Sequence, residues 1–289
     1  MRYDQLFTKL FCRPICLEAG VRAGFERVLL AYMAGQPVGI FDEHTAATDT
    51  VPRFFGRKIA PARADARADG ILEVDGSTAI IHIDGAIDRN LSAMDRLCFD
   101  ACDLVDVQRA LARVSNDSAI KNVMLAIDSP GGTVQGVPET AAMISDLAKK
   151  KNVFACTEGS MCSAAYWLAS GADQIFCTAS SYVGSIGVYM AILDESRALE
   201  DQGLKVQMVK SGSLKAAGAS FKPLSDDERA YFQNLCDEIA QMFKGAATDK
   251  RPGIEDGTMQ GQAFLGASAV AAGLADAQVA SLADALAQF

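Results

Sequence analysis

From residue 77 onward, short apolar runs alternate with segments of helical periodicity, and this alternation constrains the fold more than any other feature. Apolar runs of this length that end in polar or glycine residues are typical of buried strands. The runs cover residues 77–83, 122–127, 153–157, 174–177 and 206–209. The helical segments cover residues 103–114, 137–150, 163–170 and 225–243. The alternation predicts an α/β domain built around a largely parallel sheet.

The first 70 residues have a different character. Residues 1 to about 45 have the pattern of an amphipathic helix that Pro14 and Gly35 interrupt, and residues 18–33 place apolar side chains near helical spacing. Residues 46–70 are dominated by Thr, Pro, Ala, Arg and Asp, which is typical of a linker or an exposed loop. We therefore expect a helical N-terminal extension and linker over residues 1–70, followed by one domain over residues 71–289.

The composition of the 289-residue chain excludes several classes of protein. Half of the residues are hydrophobic and 22% are charged, which supports a folded core and excludes general disorder. The net charge of −9 disfavours binding to nucleic-acid phosphates. There is no run of about 18 uncharged apolar residues, and the chain does not begin with the apolar run of a signal peptide. We therefore expect no membrane span.

The eight cysteines and two histidines bear on cofactors and on the cellular compartment. The cysteines form no C-x-x-C pair and most lie in apolar segments, which favours reduced, buried thiols of a cytosolic protein. A zinc site needs clustered Cys or His, and two histidines contribute little to one. We therefore expect no metal cofactor.

Several standard catalytic motifs are absent from the sequence, among them the P-loop, H-E-x-x-H and G-x-S-x-G. Only His44 and His82 could complete a Ser-His-Asp triad. His44 lies in the loop-like N-terminal part, and His82 lies in an apolar strand, where a core histidine is the more common interpretation. Residues 118–121 match S-x-x-K, but they lie in a polar connection and lack partner motifs, so we interpret them as a turn. A nucleophilic serine in this chain would need a base other than histidine.

Two segments that follow predicted strands carry candidate catalytic groups at turns. Residues 128–133 (DSPGGT) carry two glycines after a proline, and such a turn leaves N–H groups free for an oxyanion or a phosphate. An ordinary strand-to-helix turn would have the same sequence pattern. In residues 158–167, Ser163 lies among small residues where a helix begins. Its hydroxyl is either a nucleophile near the helix N-terminus or a plain N-cap.

A third segment, residues 209–218, carries Lys215. A lysine amine acts as a general base only when its pKa falls from about 10.4 toward 7, which requires burial without a carboxylate partner. The small neighbouring residues and the absence of acids between Val209 and Phe221 fit that requirement. A solvated loop lysine is the ordinary alternative.

Taken together and in this order, the segments resemble the signal peptide peptidase A family of serine proteases (family S49) over about residues 77–280. The motifs that resemble the family are residues 128–132 for the oxyanion turn, 161–167 for the nucleophile, 183–188 for a serine-containing turn, 211–215 and 221–229 for the lysine segment, and 261–276 for a closing helix and turn. The sequence departs from the family at Ala164 and Ala165, where the family has Gly-Gly.

The resemblance implies a ClpP/crotonase-like fold with a Ser-Lys dyad that needs no metal or nucleotide. Ser163 falls on the nucleophile, Lys215 on the general base and Ser185 on the residue that orients the lysine. In the family, lysine and serine can come from adjacent protomers, so the resemblance also implies a homo-oligomeric ring.

The oxyanion hole implied by the resemblance consists of backbone amides. The amide of Gly131 or Gly132 would act together with that of Ala164, the residue after the nucleophile.

Residues 1–41 resemble the start of bacteriophage capsid assembly (prohead) proteases, and the N-terminal anchor of membrane-bound members is not found in the sequence. This implies protein substrates, namely scaffold and capsid proteins and the chain itself. The implied location is the cytoplasm of the bacterial host or the interior of the immature head. Because the sequence ends soon after the protease core, we expect any scaffold to be a separate or overlapping product.

Two other functions remain open. One is a cytosolic peptidase that degrades leftover signal peptides. The other is a non-catalytic shell or scaffold component on the same fold, since a fold does not fix a function. The joint presence of Ser163, Ser185 and Lys215 favours a protease over the non-catalytic component.

Overall fold

The computed structural model describes residues 15–17, 70–91 and 101–289. Of the helix expected over residues 1 to about 45, the structure describes only Ile15–Leu17, and these form a strand, so the expectation of helix is wrong there. The rest of that segment and almost all of the expected linker lie outside the described residues. The division of the chain near residue 70 therefore stays a prediction.

The described residues form strands and helices that we number in chain order. The strands are β1 (Ile15–Leu17), β2 (Leu72–Asp75), β3 (Thr78–Asp84), β4 (Ile87–Asp88), β5 (Cys102–Asp103), β6 (Asn122–Asp128), β7 (Gly131–Thr133), β8 (Asn152–Thr157), β9 (Ser160–Cys162), β10 (Gln174–Cys177), β11 (Tyr182–Gly184), β12 (Ala263–Leu265) and β13 (Ala277–Gln278). The helices are α1 (Leu104–Asn116), α2 (Val137–Ala148), α3 (Ala164–Ser170), α4 (Ser196–Asp201), α5 (Asp226–Asp249), α6 (Gly266–Ala271) and α7 (Leu282–Leu286), with a 3₁₀ turn at Asp256–Thr258.

The central sheet has six strands in the order β13-β10-β8-β6-β3-β2. All neighbouring pairs are parallel except β2 and β3, which are antiparallel. This confirms the prediction of an α/β protein with a largely parallel sheet, and four of the five predicted strands correspond to β3, β6, β8 and β10.

Side chains on the two faces of the central sheet pack into two different cores. In β6, Val123, Leu125 and Ile127 belong to the main core with residues of α1, α2 and α3. Met124, which points to the opposite face, packs in a second core that also contains Ala285 of α7. Because successive side chains of a strand point to opposite faces, a strand covered on both faces is a continuous apolar run. This explains why the short apolar runs predicted the sheet correctly.

Two smaller sheets stand beside the central one and hold the residues of the candidate site. One has the strand order β1-β7-β4-β5, and the other has the order β12-β11-β9. An isolated parallel bridge between Ser129 and Met161 joins the turn before β7 to strand β9. The sequence analysis did not predict these strands, because they are two or three residues long and are formed by tertiary pairing.

Helix α5 begins where the sequence predicted. Ser225 is the N-cap, and its hydroxyl accepts from the Glu228 N–H while the Glu228 side chain accepts from the Ser225 N–H. This reciprocal pair is the capping box that the spacing indicates.

The predicted strand at residues 206–209 is wrong. These residues form no regular structure, and every residue of the exposed segment, which we define as residues 201–215, is exposed to solvent. Val209 is 99% exposed. A strand needs a neighbouring strand for its backbone hydrogen bonds, and none of the described residues provides one here.

Candidate active site

Ser163 lies at the sharp turn between β9 and α3, with φ 56° and ψ −119°. A positive φ at a residue with a side chain costs about 1–3 kcal/mol and persists only where the surrounding structure holds it. Two hydrogen bonds hold this turn, from the Ser163 N–H to the Gly184 carbonyl at 2.7 Å and from the Trp167 N–H to the Ser163 carbonyl at 2.9 Å. The turn therefore stores strain at the residue that the resemblance predicts as the nucleophile.

The hydroxyl of Ser163 is not used as a helix cap. Although Ser163 occupies the N-cap position of α3, its side chain accepts no hydrogen bond from the first helical turn. The residue is only 1% exposed. The geometry therefore excludes one of the two interpretations of Ser163, namely that its side chain is a plain N-cap.

Ser185 lies beside Ser163 because β9 and β11 run parallel in register. Cys162 is opposite Gly184, so the next residues of the two strands, Ser163 and Ser185, start from neighbouring positions about 5 Å apart. Ser185 also has a positive φ, of 51°, and its N–H donates to the Gln262 carbonyl at 2.8 Å. Two adjacent turns thus each carry a buried serine in a strained conformation.

The glycine-rich turn is bound tightly to the strand that leads into Ser163. Asp128 Oδ1 accepts from the Ser160 N–H at 2.9 Å. The Ser129 N–H donates to the Ser160 carbonyl at 2.7 Å, and the Cys162 N–H donates to the Ser129 carbonyl at 3.1 Å. The positioning roles of Asp128 and Ser129 were not predicted, although a polar pair at the carboxyl end of a buried strand indicates such a role.

Both glycines of the turn are required by their surroundings. Gly131 has φ 98°, and its N–H donates to Ser129 Oγ at 3.2 Å while that hydroxyl donates to the Gly85 carbonyl at 2.6 Å. A Cβ atom on Gly132 would lie 1.8 Å from the carbonyl oxygen of Ile87. A side chain at Gly132 is therefore excluded without movement of β4.

The backbone amides at this place can stabilise negative charge. Helix α3 packs against β7, so its N-terminus lies near the glycine strand. Ala164 is the first residue of α3, and an N–H at that position has no acceptor within its own helix. The structure thus brings Ser163, Ala164, Ser185 and the glycine turn together. The oxyanion-hole role of Gly131, Gly132 and Ala164 stays a prediction.

Lys215 does not share this environment. It lies in a turn of the exposed segment, where its N–H is bonded to the Gly212 carbonyl at 3.4 Å. Among the described residues, none forms an ion pair with its amine. The burial that the sequence analysis required for a lysine base is therefore not supplied by the described part of the same chain.

Lys121 and His82 were not favoured as catalytic groups by the sequence, and both make other contacts in the structure. Lys121 Nζ donates to the Ser118 carbonyl at 2.7 Å in an exposed turn. His82 lies in β3 with Nε2 3.2 Å from Glu73 Oε1. Neither residue adds a base to the Ser163 site.

The described residues bear on two further expectations. They contain no group of three or more His, Cys, Asp or Glu side chains placed to hold a metal ion. No helix among them combines the length and the apolar character needed to cross a membrane.

Burial raises the pKa of the Cys156 thiol to about 12, so this cysteine is protonated at neutral pH.

Comparison with known proteins identifies relatives of the chain. Residues 145–288 match the model of peptidase family S49. The chain is 32% identical over 286 residues to the head-tail preconnector protein GP5 of Enterobacteria phage P21, an alignment that covers 94% of this chain and 54% of GP5. It is 34% identical over 174 residues to the capsid assembly protease C of Escherichia phage lambda, covering 59% of this chain and 39% of that protein.

Further relatives include a putative signal peptide peptidase SppA of Enterococcus faecium, 30% identical over 57% of this chain and 49% of that protein. The chain spans about half the length of the curated relatives it matches. Among solved structures, a mutant of ClpP1 from Listeria monocytogenes is 14% identical with a TM-score of 0.44, covering 71% of this chain and 92% of that one. A probable enoyl-CoA hydratase/isomerase from Mycobacterium abscessus is 12% identical with a TM-score of 0.39, covering 75% of this chain and 73% of that one.

Proposed function

Because this chain belongs to peptidase family S49, we propose that it is a serine endopeptidase with a Ser-Lys dyad. The observation that carries the proposal is the turn at Ser163, which holds a buried, uncapped serine at positive φ beside the glycine-rich turn. Strain of this kind is concentrated at active sites, where it fixes a reacting group in place.

In the proposed reaction, the amine of Lys215 takes the proton from Ser163 Oγ, and the oxygen attacks the carbonyl carbon of a peptide bond. The tetrahedral intermediate collapses when the protonated Lys215 gives its proton to the leaving amine. Water then hydrolyses the acyl-enzyme, with the lysine again as the base. Ser185 orients the lysine through its hydroxyl.

The negative oxygen of the tetrahedral intermediate is stabilised by backbone amides. The N–H of Ala164 and that of Gly131 or Gly132 act as donors. The positive end of the α3 dipole adds to their effect. No metal, nucleotide or other cofactor takes part.

A second copy of the chain supplies the environment that Lys215 lacks. The exposed segment carries a set of solvent-facing apolar side chains: Leu204, Val206, Met208, Val209 and Leu214. Clustered exposed apolar side chains are typical of protein contact surfaces. We infer that this segment packs on a neighbouring protomer of a homo-oligomeric ring and buries Lys215 beside that protomer's serine.

The proposed substrates are the scaffold and capsid proteins of a phage head, and the chain itself, in the host cytoplasm or the immature head. The support is the alignment with GP5 of phage P21, which covers 94% of this chain, whereas that with the SppA of Enterococcus faecium covers 57%. A peptidase that degrades signal peptides is the second candidate, because the SppA relative carries that name. A non-catalytic assembly component is the third.

A paired cleavage assay tests the dyad. Wild type, Ser163→Ala and Lys215→Ala are each co-expressed with candidate capsid and scaffold proteins and by themselves, and mass spectrometry locates new termini. Ser160→Ala and Lys210→Ala are matched controls, one on β9 and one in the exposed segment. We expect cleavage by wild type and both controls only. Cleavage by Ser163→Ala at the wild-type rate would refute the dyad, and unprocessed proteins with every form would favour the assembly component.

A mixing experiment tests the contribution of a second copy. Purified Ser163→Ala and Lys215→Ala chains are dissociated, mixed in equal amounts and reassembled. If the dyad forms between protomers, random mixing restores about a quarter of the sites. If both residues come from one chain, the mixture stays inactive.

A further inference from the structure

Strand β1 occupies one edge of the strand that carries the proposed oxyanion amides. It pairs antiparallel with β7, in the register Ile15–Thr133, Cys16–Gly132 and Leu17–Gly131. The opposite edge of β7 is paired with β4, where Ile87 lies opposite Gly132. Because a strand has only two edges, β1 fills the one edge of β7 that β4 leaves open to another strand.

The direction of the amides shows which backbone groups β1 engages. The Gly131 N–H points toward Ser129 Oγ, to which it donates. Since the Gly131 N–H is used in this way, we infer that the Gly132 N–H is the one that points toward Cys16, its partner in the register. Cys16, opposite Gly132, is therefore in the hydrogen-bonded pair of this ladder, and Ile15 and Thr133 form a non-hydrogen-bonded pair.

The chain direction of β1 matches that of a substrate. β1 runs toward Gly131, which follows the turn that is bonded to β9. Strand β9 leads directly into Ser163. An extended polypeptide that pairs with β7 in this direction presents its following peptide bonds toward the serine, so β1 has the place of residues on the N-terminal side of a cleaved bond.

We propose that β1 is an intramolecular competitor, which occupies the substrate-binding edge of β7 and has to leave before an extended polypeptide binds there. The inference rests on the proposed protease function. Extended peptides add to exposed strand edges through main-chain hydrogen bonds, and one edge accepts one strand at a time. The competitor is part of the same chain, so its inhibition does not weaken on dilution.

Such a competitor has a defined kinetic signature. Only the fraction of molecules with a vacant edge binds substrate, so the apparent KM rises by the inverse of that fraction while kcat is unchanged. Weakening β1 should therefore lower KM for an unfolded protein substrate. A small serine-directed reagent needs no strand pairing, so it should label Ser163 to completion in every form.

Cys16→Pro tests this signature, because proline removes the N–H that a ladder position needs. Cys16→Ala, which keeps the backbone donor, is the matched control. With fluorescently labelled casein as substrate, we expect KM of Cys16→Pro to fall on the order of tenfold at constant kcat, with Cys16→Ala at the wild-type value. Equal KM values for all three forms would overturn the proposal.

A disulfide that holds β1 on β7 tests the proposal in the opposite direction, because it prevents β1 from leaving. Ile15→Cys and Thr133→Cys are combined with Cys16→Ala, because non-hydrogen-bonded pairs bring Cβ atoms close enough for a disulfide. We expect the oxidised form to lose casein cleavage and a reductant to restore it, while the Thr133→Cys single variant responds to neither treatment. Full casein cleavage by the oxidised form would overturn the proposal.

A fluorophosphonate probe separates this inference from the proposed function. If the chain is not a serine protease, the probe labels none of the forms. If the protease assignment is right and β1 is not a competitor, the probe labels Ser163 in every form and the casein KM values coincide. Intact masses are recorded throughout, because a wild-type chain cut within β1 would make β1 a substrate and would also overturn its role as a competitor.

Discussion

The N–H of Ser163 donates to the carbonyl of Gly184 at 2.7 Å, and this bond joins the turn that carries Ser163 to the turn that carries Ser185. Both serines have a positive φ. The shared bond means that neither turn can relax without displacing the other. The position of Ser163 is therefore set by the pairing of β9 with β11 more than by the helix that follows it.

We expect Ser163→Gly to be more stable than Ser163→Ala, although both lack the hydroxyl of the proposed nucleophile. Glycine adopts φ 56° without the penalty of a Cβ atom. The gain should be about 1 kcal/mol after the entropy cost of glycine, or about 2–4 °C in Tm. Differential scanning calorimetry of the two variants measures it.

The control for this comparison is Ser268, which is exposed in α6. In a helix the order should reverse, with Ser268→Ala more stable than Ser268→Gly by about 1 kcal/mol. An alanine variant at least as stable as the glycine variant at position 163 would contradict the assignment of strain.

We expect Gly132→Ala to destabilise the protein and to abolish proteolysis. Its Cβ would lie 1.8 Å from the Ile87 carbonyl oxygen, so β4 and β7 have to separate. Overpacking of this kind costs about 1–3 kcal/mol or more, and thermal unfolding followed by circular dichroism measures it. Gly245→Ala in α5 is the control, because a Cβ atom at that position would have no neighbouring atom within 4 Å; equal Tm values for the two variants would be inconsistent with the close approach.

The carboxyl of Glu228 should make stability depend on pH. Lys222 Nζ donates to Glu228 Oε2 at 2.5 Å, and this bond lowers the pKa of the carboxyl in the folded protein. A lowered pKa contributes stability above the ordinary carboxyl pKa of about 4.3 that is lost as the pH falls through the folded value. We expect Glu228→Gln to lower Tm at pH 7 and to match wild type near pH 3, with the exposed Glu238→Gln as a control that leaves Tm unchanged at both pH values.

Val209→Asp should weaken self-association if the exposed segment packs on a neighbouring copy. Burial of one valine side chain contributes about 1.5 kcal/mol, so its loss weakens each interface at least about tenfold. Sedimentation velocity over a range of concentrations measures the shift. Val74→Asp replaces another exposed valine, on β2, and should sediment as wild type; identical behaviour of both variants would exclude the segment from the interface.

Much of the fold was predictable because local patterns and tertiary structure agree. The apolar runs gave β3, β6, β8 and β10, and the spacing of Ser225 and Glu228 gave the start of α5. Ser163 was placed correctly at the start of a helix, whereas Gly131 and Gly132, which were predicted as part of a turn, form a strand. The antiparallel strand β1 was not predictable, since the strand it pairs with is formed by two glycines and a threonine.

The exposed segment shows why the rest could not be predicted. Val206 and Val209 have the pattern of a buried strand, yet the structure exposes both. A sequence pattern reports that side chains avoid water, and it does not report whether the same chain or another one covers them. The same limit applies to Lys215, whose small neighbours indicate a desolvated amine while its own chain leaves it exposed.

Every residue of α3, the helix that begins immediately after Ser163, is buried. Amides in such a helix exchange with deuterium only when the whole domain opens, whereas those of the exposed segment exchange through local fluctuations. We therefore expect the helix that follows Ser163 to open only together with the rest of the domain. If the proposals above hold, we expect control of this site to act at its open sides, through the strand that pairs with β7 and the chain that packs on the exposed segment.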